Sequence, residues 1–171
     1  MRYPSYIFAT ALLASLLLAS QAYATPVQNL DRVGSATLKV WFWTIYDSRL
    51  YSPDGRFDGI EPGLALELDY RRDIRTDELI KRTRQEWQKL DLNHEKQEAW
   101  LDQLAALWPN IQEGDELVLH VGDKLSSKFY YNGEPIGEIS DAEFTNQFLA
   151  IWLSEKSSYP KLRDQLVGLA N

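Results

Sequence analysis

Residues 40–51 read VWFWTIYDSRLY. Three aromatics adjoin at Trp41, Phe42 and Trp43, and a Tyr-x-x-Arg-x-Tyr pattern follows at Tyr46, Arg49 and Tyr51. Side chains alternate between the two faces of a strand. A strand from Val33 to Thr44 therefore sets Trp41 and Trp43 on one face and Val40 and Phe42 on the other. Large apolar groups on both faces call for a sheet that is dry on both sides. The expectation is a sheet roofed by helices on one side and by a second layer on the other, with the indoles buried.

The rest of the chain supplies the roof. Ser52-Pro53-Asp54-Gly55 is a turn, and Leu64–Tyr70 alternates at its end as a half-buried strand does. Thr76 caps a helix with Leu79, Ile80, Trp87 and Leu90 on one stripe, Thr83 filling it and Asp77 and Glu78 at its positive end. Asn93 caps a second helix carrying Trp100, Leu101, Leu104, Leu107 and Trp108, stopped by Pro109. Leu117-Val118-Leu119 reads as a strand, and Asn132-Gly133 makes a hairpin of Lys128–Tyr131 and Pro135–Ile139. Ser140-Asp141-Ala142-Glu143 is a capping box opening a helix with Phe144, Phe148, Ile151 and Trp152 on one face. Tyr159-Pro160 breaks it before a last helix with Leu162, Leu166 and Leu169. Strands, two helices, three strands and two helices in that order predict an α+β fold with an antiparallel sheet.

At the N-terminus, Arg2 precedes an apolar run from Ile7 to Ala19 and a small-x-small site at Ala22-Tyr23-Ala24. This is the pattern of a signal peptide over residues 1–24, cut near Ala24. The run is short of the ~20 residues that span a bilayer. Residues 25–171 are then expected to form one exported domain, with no membrane span after cleavage. With no cysteine, that domain relies on packing rather than disulfides, and six Trp, nine Tyr and six Phe supply the bulk. A formal charge of −7 disfavours nucleic acid as a partner.

The chemistry-bearing residues are few. Two histidines, His94 and His120, and the turn cluster Glu113, Asp115 and Glu116 make no recognisable metal site, and neither a phosphate loop nor a nucleophile elbow is present. No cofactor, metal or catalytic residue is expected. The positive candidates are Tyr46, Arg49 and Tyr51, a planar five-donor fork between two amphipathic phenols. Beside Trp41 and Trp43 they would hold an amphipathic molecule with an acidic end. The alternative reading makes the tyrosines core and sends Arg49 to the surface or to an acid. Trp87, Trp100 and Trp152 fall at helical spacing and suit a core; Trp87 is kept as a candidate wall of a ligand cleft.

The stretches IYDSRLYS at 45–52, Tyr70-Arg71-Arg72-Asp73-Ile74, Glu86-Trp87, and YYNGEPIGEISDAEF at 130–144 leading to Ile151-Trp152-Leu153 resemble the chalcone isomerase-like family, in its exported bacterial branch. The likeness runs from Val33 to Leu166. It implies an open-faced β-sandwich: a large antiparallel sheet, helices on one face, a few short strands behind, and a cleft between sheet and helices. It also implies a periplasmic or secreted protein. Plant enzymes of the family cyclise chalcones, and plastid relatives bind fatty acids through an arginine and a tyrosine. The enzymes' arginine before the aromatic stretch has no counterpart between Val33 and Trp43, where Lys39 is the one cation, and lysine lacks the bidentate fork. The enzymes' threonine falls on Tyr46, and a second polar position falls near Ala150. The resemblance therefore favours a non-catalytic binder of a hydrophobic or amphipathic molecule such as a fatty acid. A chalcone-type intramolecular lyase and a protein-interaction domain are the alternatives.

Overall fold

A computed structural model describes residues 26–170. The expected signal peptide lies outside them. The chain runs through β1 (Asp31–Val40), β2 (Trp43–Ser52), β3 (Ala65–Tyr70), α1 (Thr76–Lys89), α2 (Gln97–Leu107), β4 (Glu116–Val121), β5 (Ser127–Tyr131), β6 (Glu134–Ile139), α3 (Ala142–Leu153) and α4 (Pro160–Leu166). All six strands form one antiparallel sheet in chain order, β1-β2-β3-β4-β5-β6. This is the α+β architecture expected, with the helices on one face.

Register sorts the side chains. Tyr46, Ser48 and Leu50 of β2 stand beside Tyr70, Leu68 and Leu66 of β3, which continue through Leu117 and Leu119 of β4 to Phe129 of β5. That face is buried under the helices. Trp87 of α1, Trp100 of α2 and Phe144 of α3 meet edge-on above it, with ring centroids 5.8–6.5 Å apart. The opposite face carries Thr37, Asp47, Arg49, Glu67, Asp69, Glu116 and Lys128. Among the described residues every named strand belongs to this one sheet, so the expected layer of short strands behind it is replaced by a polar open face.

The opening stretch is the main correction. It is not one strand but a hairpin: Val40 pairs with Trp43, and Trp41-Phe42 is the two-residue loop between β1 and β2. Trp41 is 90 % exposed, Phe42 78 % and Trp43 51 %, so these aromatics stand in solvent rather than under a roof.

Helix starts also differ in detail. Thr76 is the first residue of α1 rather than its cap, its N–H donating to Asn110 Oδ1 at 3.0 Å, while Glu78 accepts from the Arg75 N–H. The second helix begins four residues after Asn93: His94 stacks on Trp100 (centroids 4.7 Å apart), and residues 95–96 turn before the helix starts at Gln97. Asp141 caps α3 by accepting from the Glu143 and Phe144 N–H groups. Glu67, on a strand read as half-buried, is 5 % exposed. No helix among the described residues is long and apolar enough to cross a membrane.

Candidate functional site

A cavity of about 340 Å³ lies between the helix-covered face of the sheet and α1, α3 and the loop after α3. Its floor is Leu38, Tyr46, Leu66, Leu68, Tyr70, Leu117, Leu119 and Phe129. The roof is Leu79, Arg82, Thr83 and Glu86 of α1, Phe148, Ile151 and Trp152 of α3, Trp108 just past α2, and Ser157, Tyr159 and Leu162. Val40 and Glu78 are both lining and exposed, so the mouth opens between the end of β1 and the first turns of α1.

The polar groups are few and of one kind. The Tyr46 hydroxyl accepts a hydrogen bond from Trp152 Nε1 at 2.9 Å, which leaves its own proton for donation. Tyr70 stands edge-on to Tyr46, centroids 5.8 Å apart, and its hydroxyl has no hydrogen-bond partner among the described residues. Trp108 Nε1 is buried and also unpartnered. Burial pushes the pKa of both tyrosines far above the ordinary value, so they remain neutral donors at any physiological pH. A buried donor without an acceptor costs about 1–3 kcal/mol. An oxygen-bearing guest would recover that loss.

Charge enters the roof from α1, where Glu86 is buried and Arg82 half-exposed. Arg82 Nε lies 3.1 Å from Glu86, and an Arg82 terminal nitrogen donates to the Tyr159 hydroxyl at 2.8 Å. Burial pushes the Glu86 carboxyl up. Bonds from Ser158 and Lys89 and the charge of Arg82 outweigh that and hold it below the usual range. It is a carboxylate already satisfied by its neighbours.

Of the six candidate ligand residues, the cavity takes in Tyr46 alone. Trp41 and Trp43 sit on the hairpin outside it. Trp87 is 1 % exposed, donates to the Gln147 carbonyl at 3.0 Å, and belongs to the aromatic core. Arg49 and Tyr51 lie on the opposite face of the sheet, because an odd separation from Tyr46 reverses the side. Arg49 donates through Nε to Glu67 at 2.6 Å and forms ion pairs with both Glu67 and Asp69. Burial works against its charge, and the two carboxylates more than offset it, raising its pKa. The tyrosine–arginine–tyrosine group is thus divided between cavity and open face.

Glu67, Asp69 and Glu116 bring carboxylate oxygens within 4.8 Å of one another. Arg49 supplies their counter-charge. Burial first, then Glu67 and Asp69, raise the Glu116 pKa. The turn cluster has a structural duty, since Asp115 accepts from the Tyr131 hydroxyl at 2.6 Å and from Asn132 at 2.9 Å.

Tyr70, Arg82, Trp108 and Tyr159 were not singled out as site residues by sequence. They come from four separate segments, and only the unpaired polar atoms on large aromatics hint at their role. Trp152, read as core, borders the cavity.

Comparison with known proteins accords with this architecture. A protein of Haemophilus influenzae described as uncharacterized is 26% identical over 145 residues, covering 85% of this chain and 71% of that one. The crystal structure of a fatty-acid binding protein of Arabidopsis thaliana superposes with a TM-score of 0.64 at 9% identity, over 82% of this chain and 87% of that one, a likeness of fold. The profile of the chalcone isomerase-like family matches residues 19–168. With nearly all the described residues inside that match, the chain belongs to the chalcone isomerase-like family.

Proposed function

We propose that this protein is a non-catalytic binder of a hydrophobic or amphipathic small molecule, such as a fatty acid, exported to the periplasm or secreted after cleavage near Ala24. The observation that carries the reading is the apolar cavity whose unpaired polar atoms are all neutral donors. Its volume of about 340 Å³ falls at the low end of ligand pockets, ~300–1,000 Å³. The occupant that suits it is an acyl chain or part of one. Its oxygens meet Tyr46, Tyr70 and Trp108 within, or Arg82 and Tyr159 at the mouth. The fold likeness to a fatty-acid binding protein supports this class of guest.

Lipid-stripped protein titrated with a fluorescent polyene fatty acid should take it up with quenching of Trp108 and Trp152, which border the cavity. Leu79→Trp, placed at the half-exposed roof by the mouth, should block uptake while leaving thermal stability within about 1 kcal/mol. No uptake of any member of a series from octanoate to stearate, or of the matching alcohols, refutes the reading.

A further inference from the structure

Val40, Trp41, Phe42 and Trp43 form a run of four large apolar residues in solvent at the tip of the β1–β2 hairpin. Among the described residues the only other large hydrophobic so exposed is Leu169, near the chain end. The tip also breaks a local rule. Trp41 has φ +60°, at the first position of a two-residue hairpin loop where glycine sits without strain. Keeping an indole there costs backbone energy and recovers no packing, the signature of a residue retained for contact outside the chain.

The surroundings say what that contact is. Arg72 places its guanidinium 4.5 Å over the Trp43 ring, and Lys39 precedes Val40 on the exposed edge of β1. Neither is in an ion pair among the described residues; Arg71 beside them is paired with Asp47 at 2.7 Å, and Asp73 and Glu113 line one shallow hollow with Trp43, Arg71 and Arg72. A convex point of Trp-Phe-Trp with long basic side chains at its base matches the headgroup–acyl boundary of a bilayer. Indoles favour that boundary, and cations there reach phosphate. Val40 is shared by the tip and the cavity lining, so a membrane meeting the tip would also face the mouth.

We propose that the β1–β2 hairpin is a membrane-docking finger: Trp41, Phe42 and Trp43 insert into a phospholipid surface and hold the cavity mouth against it. Insertion is driven by apolar area, because the chain's overall charge of −7 opposes attraction to anionic lipid. Docking itself does not depend on what the cavity carries; the link to the mouth rests on the binder reading.

The test uses the full chain with phosphatidylethanolamine–phosphatidylglycerol vesicles whose acyl chains are brominated. No tryptophan precedes Trp41, Trp87 and Trp100 are buried, and Trp108 and Trp152 border the cavity, so the hairpin's share of the contact quenching is the part that altering its tip removes, even if the N-terminal segment also meets lipid. Wild type should be quenched. Trp41→Gly with Phe42→Ser, a pair that suits the loop, should weaken the quenching titration by at least about tenfold while thermal stability stays equal or rises. Absence of quenching, quenching unaltered by that pair, or lipid-free self-association that the pair abolishes each overturns the proposal. Fatty-acid uptake is measured separately, so loss of one property without the other tells which reading has failed.

Discussion

Replacing Arg49 by methionine tests whether the arginine of the opening stretch serves the ligand or the sheet. The substitution keeps the aliphatic stem and removes the charge that Glu67 and Asp69 share. The Glu67 side chain is 6 % exposed and that of Asp69 22 %. Stripping one partner from a buried ion pair costs about 3–5 kcal/mol. Arg49 is itself 29 % exposed, so water partly replaces it, and about 2–3 kcal/mol is expected. At about 2–4 °C per kcal/mol for a domain of this size, the melting temperature falls by about 5–10 °C. Urea denaturation supplies the free energy and calorimetry the temperature. Adding Glu67→Met should restore most of the loss, because the better-buried unpaired carboxylate is gone while Asp69 keeps contact with water. Fatty-acid uptake should stay as in the wild type, since the site is across the sheet. An unchanged urea midpoint in Arg49→Met, or lost uptake at full stability, refutes this assignment.

A Cβ at Gly34 would fall well inside contact distance of the backbone carbonyls of Gln165 and Leu166, so Gly34→Ala pushes α4 off β1. The expected cost is at the upper end of ~1–3 kcal/mol, with amide exchange accelerating first in α4; unaltered exchange there contradicts it. Burial, aided by Lys128, lowers the His120 pKa below its ordinary 6.5. The unfolded chain therefore binds this proton more readily, and the stability His120 contributes is present above pH 6.5 and drains away as pH falls through the depressed folded-state value. His120→Gln should flatten that slope; an identical pH profile in the variant removes the histidine as its source.

The sequence reading succeeded where one local signal matches one local need. Asn132-Gly133 suits a two-residue loop, and the helix expected after Ser140 is there, though Asp141 caps it in place of the Ser140–Glu143 box. It failed at Trp41-Phe42, where neither residue favours a turn and the aromatic run imitates a buried strand. The candidate site suffered differently. Tyr46 and Arg49 are three apart, close in sequence yet opposed across a pleated sheet, whereas Tyr46 and Trp152 are bonded over a separation of 106 residues. No spacing rule encodes such a contact; it appears only once α3 is laid over β2.

The in-order sheet has a bearing on how the molecule assembles. β1, β2 and β3 form one meander and β4, β5 and β6 another, each closed by nearest-neighbour pairings that incur little loop entropy. Between Tyr70 and Glu116 the chain makes two helices before β3 meets β4, so that seam is the slow, long-range event. Tyr46 and Tyr70 belong to the first meander, Phe129 to the second, and Trp152 to a helix that must lie across both. A guest molecule thus finds no seat in either half alone. Its occupancy would favour the finished chain over every earlier stage, acting as a clasp on the last seam to close.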